Sequence, residues 1–228
     1  MRKISLLKRL EQYPLFTEND VAKIVNKGSA YVRKLLYRMC KEGLITRLEK
    51  GKYTVYADPL IFASYLSIPS YLSLWTAFRY YNMTQQQPYR IFVISSVPKK
   101  PLEIQNAEII FKKSKHMFGY KKERYADFDI FMAEPEKAII DAFLFKIPIS
   151  DIVKALDEYK FNFEKLSAYA KKTGNISLMK RLGYILEKKK RNSYGLGPKD
   201  SNYVLLDYLG VKKGKKNAKW KLIINCEI

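Results

Sequence analysis

Residues 29–42 constrain the fold most strongly, because they combine an apolar stripe with a basic opposite face. Four apolar side chains recur at helical spacing, and they are Val32, Leu35, Leu36 and Met39. The opposite side carries Ala30, Arg33, Lys34, Tyr37, Arg38 and Lys41. A solvated helix face normally mixes both signs of charge, whereas this one is only positive before Glu42. The pattern predicts a helix that packs on a core and presents cations outward.

The residues before this helix predict two more helices. Ile4, Leu7 and Leu10 lie at helical spacing, and Tyr13-Pro14 ends that segment. Thr17, with Asp20 three residues later, has the spacing of a capping box for a second helix. The sequence from Asn26 to Ser29 predicts a tight turn, with Ser29 as the cap of the third helix.

The residues after this helix predict a short hairpin. Gly43 is suited to the position after a helix end. Residues 44–48 and 52–56 have the composition of strands on either side of residues 49–51. The whole order predicts a winged helix-turn-helix domain in residues 1–57.

A winged helix-turn-helix places its last helix in the major groove of double-stranded DNA. The wing tip is placed to contact the backbone or a neighbouring minor groove. We expect DNA contacts from Lys27, Ser29, Ala30, Tyr31, Arg33, Lys34, Tyr37, Arg38, Lys41, Lys50 and Lys52.

The formal net charge of +21 is concentrated near the two ends of the chain. Residues 1–57 contain thirteen basic and five acidic side chains, and residues 186–221 contain eleven and three, so each segment has a net charge of +8. The second segment predicts a basic partner surface made of Lys188, Lys189, Lys190, Arg191, Lys212, Lys213, Lys215 and Lys216. Two runs of one sign favour a functional surface for DNA, RNA or an acidic partner, and the alternative is a solubilising role.

Residues 58–228 predict a larger domain of mixed α and β structure, so that the whole chain belongs to the α+β class. We expect helices from Ser70 to Asn82, from Glu134, from Ser150, and over residues 163–171 and 177–188. We expect strands over residues 89–96, 108–112, 125–132, 203–206 and 220–225. Lys212 to Lys216 is predicted to be a loop.

Four segments make the chain resemble a known family. They read PSYLSLWTAFRYYNMTQQQPYRIFVIS from Pro69, AEPEKAIIDAF from Ala133, LMKRLGYILEK from Leu178 and NAKWKLIIN from Asn217. With the predicted winged helix before them, they resemble the AbiEi family, the antitoxin and repressor component of type IV abortive-infection systems, which serve in viral defence. The resemblance implies a repressor that binds inverted repeats in its own operon. It also implies that the protein counteracts a nucleotidyltransferase toxin functionally, without a stable complex.

Candidate catalytic groups are few. Asp127-Phe128-Asp129 is a pair of carboxylates of the kind that holds Mg²⁺ in nucleotidyltransferases. Those enzymes also need a preceding Gly-Ser pair, whereas Ser114 follows Lys113. His116, the only histidine, has no cysteine beside it, and Cys40 and Cys226 are far apart in the chain. We therefore expect no enzymatic activity, no metal site and no cofactor.

Two functions remain open. The first is a DNA-binding repressor that acts as an antitoxin. The second is a stand-alone transcriptional regulator whose C-terminal domain senses a small ligand in an apolar pocket with a few polar groups. The chain has no secretory signal pattern, and its longest apolar run, residues 60–68, is far shorter than a membrane span. We expect a cytoplasmic protein with no membrane partner.

Overall fold

The computed structural model of the chain describes residues 3–85, 89–104 and 107–228 and has a mixed α and β fold. Residues 86–88 belong to the first family-like segment and lie outside the described residues. The α-helices are α1 Lys3–Leu10, α2 Glu18–Val25, α3 Ser29–Lys41, α4 Pro59–Phe62, α5 Trp75–Tyr80, α6 Pro135–Leu144, α7 Ile149–Glu158, α8 Phe163–Thr173 and α9 Ile176–Lys188. The strands are β1 Phe16–Thr17, β2 Thr46–Glu49, β3 Lys52–Thr54, β4 Ser70–Leu72, β5 Arg90–Ser95, β6 Leu102–Ile104, β7 Ala107–Lys113, β8 Tyr120–Tyr125, β9 Phe128–Ala133, β10 Val204–Leu205, β11 Lys215–Asn217 and β12 Leu222–Ile224.

The strands form three sheets. Near the N-terminus, β3 lies between β1 and β2 and is antiparallel to both. The largest sheet has the order β6-β7-β5-β4-β9-β8, in which β5 and β7 are parallel. In the C-terminal sheet, β12 lies between β10, to which it is parallel, and β11, to which it is antiparallel.

The chain divides into two compact units. Unit 1 consists of Met1–Leu72, Tyr89–Lys115 and Lys122–Phe131. Unit 2 consists of Ser73–Pro88, His116–Lys121 and Met132–Ile228. The domain boundary between residues 57 and 58 stays a prediction, because this division follows contacts and not independent folding.

Within unit 1, residues from the first 55 positions form a hydrophobic cluster of their own. Its buried members are Leu6, Leu10, Phe16, Val21, Val32, Leu36, Met39, Ile45 and Tyr53. The cluster draws on α1, α2, α3, β1 and β3, so that one core fixes the orientation of all three helices. Ile4 was predicted to be in the apolar stripe of α1, but it is 70% exposed, and Leu6 takes its place.

Within unit 2, α6 is the central helix, since it contacts α5, α7, α8 and α9. Residues 135–143 are buried without interruption, including Lys137 and Asp141, which are both fully buried. Their ammonium and carboxylate groups form an ion pair, and Ser73 donates a hydrogen bond of 2.8 Å to Asp141. Burial lowers the pKa of Lys137, and the Asp141 carboxylate opposes that shift.

Several predicted elements appear with small changes in their bounds. The strand over residues 89–96 is β5, and the helices over residues 163–171 and 177–188 are α8 and α9. The helix from Glu134 is α6, with Glu134 as its N-cap residue. The prediction of a mixed α and β fold is confirmed.

Two predicted helix starts and one predicted strand in the rest of the chain are wrong. Ser70 lies in β4 instead of at the start of a helix, because α5 begins only after Leu74, whose φ is 57°. The strand over residues 125–132 is broken at Ala126, whose φ is 49°, so that β8 and β9 replace it. Ser150 lies inside α7, whose N-cap residue is Pro148.

Candidate nucleic-acid interface

The turn between α2 and α3 is fixed by caps that the sequence partly predicts. Thr17 and Asp20 form the predicted capping box at the start of α2. At the other end Asn26 has a left-handed backbone (φ 51°), and its N–H donates to the carbonyl of Ala22. Ser29 was predicted to cap α3, but the N-cap residue is Gly28 and Ser29 is the first residue of the helix. The first three residues of α3, Ser29, Ala30 and Tyr31, are exposed.

The outer face of α3 is exposed along its whole length. The predicted DNA-contacting residues on this helix are all exposed: Ser29, Ala30, Tyr31, Arg33, Lys34, Tyr37, Arg38 and Lys41. Tyr31 and Tyr37 are 51% and 62% exposed. The inner face buries Val32, Leu36 and Met39. The helix therefore separates a core face from an outward face.

The cations on α3 have no carboxylate partner among the residues that the structure describes. Arg33, Lys34 and Arg38 make no ion pair, and the Lys41 ammonium lies 5.7 Å from the centre of the Tyr37 ring. Glu42, the acidic residue at the end of the helix, is occupied by Lys3 at 2.5 Å. The positive charge of this face is therefore available to an external anion.

The hairpin of β2 and β3 was predicted, with slightly longer strands, and its turn is Lys50-Gly51. Gly51 has a φ of 76°, a conformation in which a residue with a Cβ is strained. Lys50 is exposed at this turn, and Lys27 is exposed before α3. The pairing of β1 with β3 was not predicted, because a strand of two residues has no detectable sequence pattern.

Lys52, predicted to contact DNA, lies in a polar network within unit 1. Its ammonium is 2.9 Å from the Glu49 carboxylate and donates to the carbonyl of Leu66 at 2.8 Å. The Lys99 ammonium contacts the other Glu49 oxygen at 2.6 Å and the same carbonyl at 2.9 Å. Burial raises the pKa of Glu49, but hydrogen bonds from Lys99 and Lys52 outweigh this effect and lower it below its usual value.

The first half of the predicted basic partner surface follows α9. Lys189 contacts both oxygens of Asp157 at 2.7 Å, and the Arg191 guanidinium lies 5.2 Å from the centre of the Phe163 ring. The Lys188 ammonium lies 5.9 Å from the centre of the Tyr184 ring. Lys190 is exposed and has a left-handed backbone (φ 54°). Part of this cluster is thus engaged inside unit 2.

The second half of that surface is only partly a loop. Lys212 and Lys213 are exposed outside regular structure, whereas Lys215 and Lys216 lie on β11, so the prediction of a single loop is wrong. Gly214 lets the chain approach β12 closely, since a Cβ at this position would overlap the backbone of Ile224. This approach allows β11 to pair with β12. The Lys216 ammonium lies 5.3 Å from the centre of the Tyr203 ring.

The two carboxylates that were considered as magnesium ligands, Asp127 and Asp129, lie in different elements. Asp127 lies in the turn between β8 and β9, while Asp129 lies on β9, 3.8 Å from the Arg124 guanidinium and 3.9 Å from the Lys122 ammonium. Over the described residues, there is no group of three His, Cys, Asp or Glu side chains that could hold a metal ion. Cys40 and Cys226 are free thiols. Across the same residues, no helix has the length and apolar character needed to cross a membrane.

Unit 2 contains a cleft that sequence reasoning did not predict. It has a volume of about 690 Å³, and its walls include Trp75 and Arg79 from α5 and Asp151 and Lys154 from α7. The spacing of Trp75 and Arg79 predicts that they share one face of a helix, and the spacing of Asp151 and Lys154 predicts the same for theirs. It does not predict that the two faces meet, because their pairing depends on tertiary packing.

The chain was also compared with known proteins. It matches no known family model and no curated protein.

Proposed function

We propose that this protein binds double-stranded DNA through an N-terminal winged helix-turn-helix, with α3 in the major groove. The observation that carries the proposal is the outer face of α3, which is exposed, has no acidic residue before Glu42 and leaves Arg33, Lys34 and Arg38 unpaired among the described residues. An α-helix fits the major groove, where arginine and lysine bind guanine edges or phosphates. Tyr31 and Tyr37 add large exposed surfaces for sugar or base contacts.

The proposed roles differ along this surface. Ser29, Ala30 and Tyr31 lie in the first turn of α3, the part of such a helix that reaches base edges. Arg38 and Lys41 lie in its last turn, where phosphate contacts are the more natural role. Lys50 is proposed as the wing contact. Lys52 is proposed to act through Glu49 on the position of the wing, because its ammonium is already engaged.

The biological role that we propose is a cytoplasmic transcriptional repressor that is also the antitoxin of a type IV abortive-infection system. The support is the resemblance of the four segments to the AbiEi family and the basic character of both ends of the chain. DNA binding at an inverted repeat would provide autoregulation. The basic partner surface of unit 2 would act on the nucleotidyltransferase toxin or on its polyanionic nucleic-acid acceptor.

Electrophoretic mobility shift and footprinting of DNA upstream of the protein's own coding sequence test DNA binding. We expect one protected inverted repeat, with unrelated DNA of equal length bound at least about a thousandfold more weakly. Equal affinity for both DNAs would mean that the protein binds DNA non-specifically and is not a repressor of this operon. Absence of binding to either DNA would refute the proposal.

Growth rescue tests the antitoxin role. The full chain is expressed beside a nucleotidyltransferase encoded in the same operon, and rescue is compared with that by the Lys188→Ser/Lys190→Asn variant. This pair spares Lys189 and Arg191, which are engaged within unit 2, and asparagine suits the left-handed backbone at position 190. Rescue by the wild type alone supports the basic surface, and equal rescue assigns the activity to another surface. A toxic partner that the wild type does not neutralise would refute the antitoxin role.

A second candidate is a stand-alone regulator that senses a small molecule, and the cleft in unit 2 favours it. Its volume is within the range of about 300–1,000 Å³ that is typical of ligand pockets. The two candidates share the DNA-binding function and differ in the neighbouring gene and in the ligand. An operon without a nucleotidyltransferase, together with a ligand that changes DNA affinity, would favour the second candidate.

A further inference from the structure

The cleft of unit 2 has an apolar floor and a charged rim. Phe78 and Met83 are each only 1% exposed and form apolar wall, and Trp75 is half-buried beside them. The rim carries exposed Arg79, from α5, together with charged groups of α7. Of the ten residues that line the cleft, Trp75, Phe78 and Met83 are apolar and the other seven are polar or charged. The cleft therefore suits a ligand that has both an apolar part and charged groups.

The Trp75 indole is held in place. Its Nε1 atom donates a hydrogen bond of 3.3 Å to the Asp151 carboxylate, which joins the first turns of α5 and α7. The ring is therefore oriented before any ligand binds, so that binding does not carry the entropic cost of ordering the Trp75 side chain. The Asp151 carboxylate is partly consumed by this role.

The remaining charges on the rim have no partners among the described residues. Arg79, Lys154 and Glu158 form neither an ion pair nor a side-chain hydrogen bond there. Lys154 and Glu158 are four residues apart on α7, with the lysine nearer the N-terminus, which is the weaker orientation for a helical ion pair. Besides Asp151, which accepts from the Trp75 indole, the rim thus presents two cations and one carboxylate without a partner. Lys154 and Glu158 are one helical turn apart.

We infer that this cleft binds an α-amino acid with a large apolar side chain. The α-carboxylate would contact Arg79 and Lys154, the α-ammonium would contact Glu158, and the side chain would lie on Trp75 above Phe78 and Met83. The two charged groups of an amino acid share one carbon atom, and side chains four residues apart on a helix can reach both of them.

Singly charged ligands fit this rim less well. A simple carboxylic acid meets Glu158, and a simple amine meets Arg79 and Lys154, so each encounters a like charge. A zwitterion meets an opposite charge at both ends. The inference does not depend on DNA binding, since it concerns only residues of unit 2.

Titration of the full-length protein with a matched series of three compounds tests the inference. The series is L-phenylalanine, 3-phenylpropionate, which lacks the ammonium group, and 2-phenylethylamine, which lacks the carboxylate. Binding is followed by calorimetry and by the fluorescence of Trp75, with Trp75→Phe identifying its contribution. We expect L-phenylalanine to bind at least about tenfold more tightly than either analogue, the ratio that corresponds to one charged contact.

Two variants distinguish loss of a contact from loss of folding, because one of them should bind one ligand more tightly. Glu158→Gln should weaken L-phenylalanine binding by about tenfold while it strengthens 3-phenylpropionate binding, and Arg79→Gln should weaken both. Lys199→Ala, an exposed lysine outside the cleft, serves as the control and should change neither. No heat from L-phenylalanine up to about 10 mM, or binding of an analogue equal to that of the amino acid, would overturn the inference. A Glu158→Gln protein that binds both acids as the wild type does would also overturn it.

Discussion

The outer face of α3 and the segment from Lys188 to Arg191 are similar in sequence and different in structure. Both are runs of lysine and arginine at or near a helix. On α3, Arg33, Lys34 and Arg38 have no partner among the described residues. After α9, Lys189 is paired with Asp157 and Arg191 lies against Phe163. A count of charges therefore overstates the free positive surface of the second segment.

The difference has a local cause. The third helix presents its basic face to solvent because its other face fills a core formed by neighbouring helices and strands. At the end of α9, by contrast, Asp157 of α7 and Phe163 of α8 lie within reach of Lys189 and Arg191. Lys137, on α6, is the extreme case, since its charge is buried and paired. Four predictions test whether the cations without an internal partner, and not the total number of cations, determine DNA binding and stability.

The salt dependence of DNA binding should show the largest effect. With roughly six phosphate contacts, log K against log salt should have a slope of about −5, so that affinity falls about a thousandfold between 50 and 200 mM salt. Replacing Arg38 and Lys41 by alanine should reduce the slope by about one for each phosphate that the variant no longer neutralises. A slope near zero would show that the charge of α3 is not used on DNA.

The same measurement on Lys188→Ala/Lys190→Asn separates the two regions. If only the free cations of α3 contact DNA, this variant keeps the wild-type slope. An equal fall in both variants would mean that Lys188 and Lys190 neutralise DNA phosphates as Arg38 and Lys41 do.

The double variant Arg33→Ala/Lys34→Ala should give the next largest effect. Loss of a bidentate hydrogen bond to a base costs about 1–3 kcal/mol at each position. Quantitative gel retardation with promoter DNA measures the loss, and circular dichroism checks that the helix is intact. Retardation equal to that by the wild type would exclude α3 as the specificity element.

The elements around α3 were largely predictable, and the cleft was not. The capping box of Thr17 and Asp20 and the stripe of Val32, Leu36 and Met39 are local patterns, and local hydrogen bonds and one shared core suffice to realise them. The cap at Ser29 was wrong by one residue, because glycine at position 28 can adopt the N-cap conformation without a side-chain bond.

Beyond the first 57 residues, long-range contacts decide the structure. The fully buried run from Tyr71 to Leu74 suits a strand as well as a helix, and pairing of β4 with β5 selects the strand for its first part. The partners of Lys189 and Lys99 are about thirty or more residues away in the chain. No local pattern indicates such partners, so the sequence cannot show which cations are free.

The hairpin of β2 and β3 offers the same comparison between two lysines, Lys50 and Lys52, that are two residues apart. Glu49→Gln removes the carboxylate that Lys52 and Lys99 share, and should lower the free energy of unfolding by about 1–2 kcal/mol at neutral pH. Because the folded pKa of Glu49 is lowered, its contribution is present above the unfolded pKa and is lost as pH falls through the folded value. The difference between wild type and variant should therefore shrink from about pH 6 to pH 3.

Lys50→Ala is the matched control for the hairpin of β2 and β3. It should leave stability unchanged at every pH, because Lys50 is exposed and makes no ion pair among the described residues, while it weakens DNA binding slightly. Urea denaturation across the pH range measures both variants. A pH-independent difference for Glu49→Gln would mean that the network does not depend on its charge.

The smallest expected effect is the change in stability on replacing Lys189. Its ammonium is within 2.7 Å of both Asp157 oxygens, but the two side chains are 23% and 56% exposed, so solvent screens the pair. Exposed ion pairs contribute about 0–1 kcal/mol, and we expect Lys189→Ala to cost about 0.5 kcal/mol at low salt. In 1 M salt, where the Debye length is about 3 Å, most of that cost should disappear.

Lys190→Asn is the reference for this measurement, because Lys190 is exposed, without an ion pair among the described residues, and in a backbone conformation that asparagine accepts. It should leave the free energy of unfolding unchanged at both salt concentrations. If Lys189→Ala also leaves the free energy of unfolding unchanged at low salt, the ion pair with Asp157 does not contribute to stability. Lys189 would then be as free to meet an external anion as the cations on α3, although it has a carboxylate beside it.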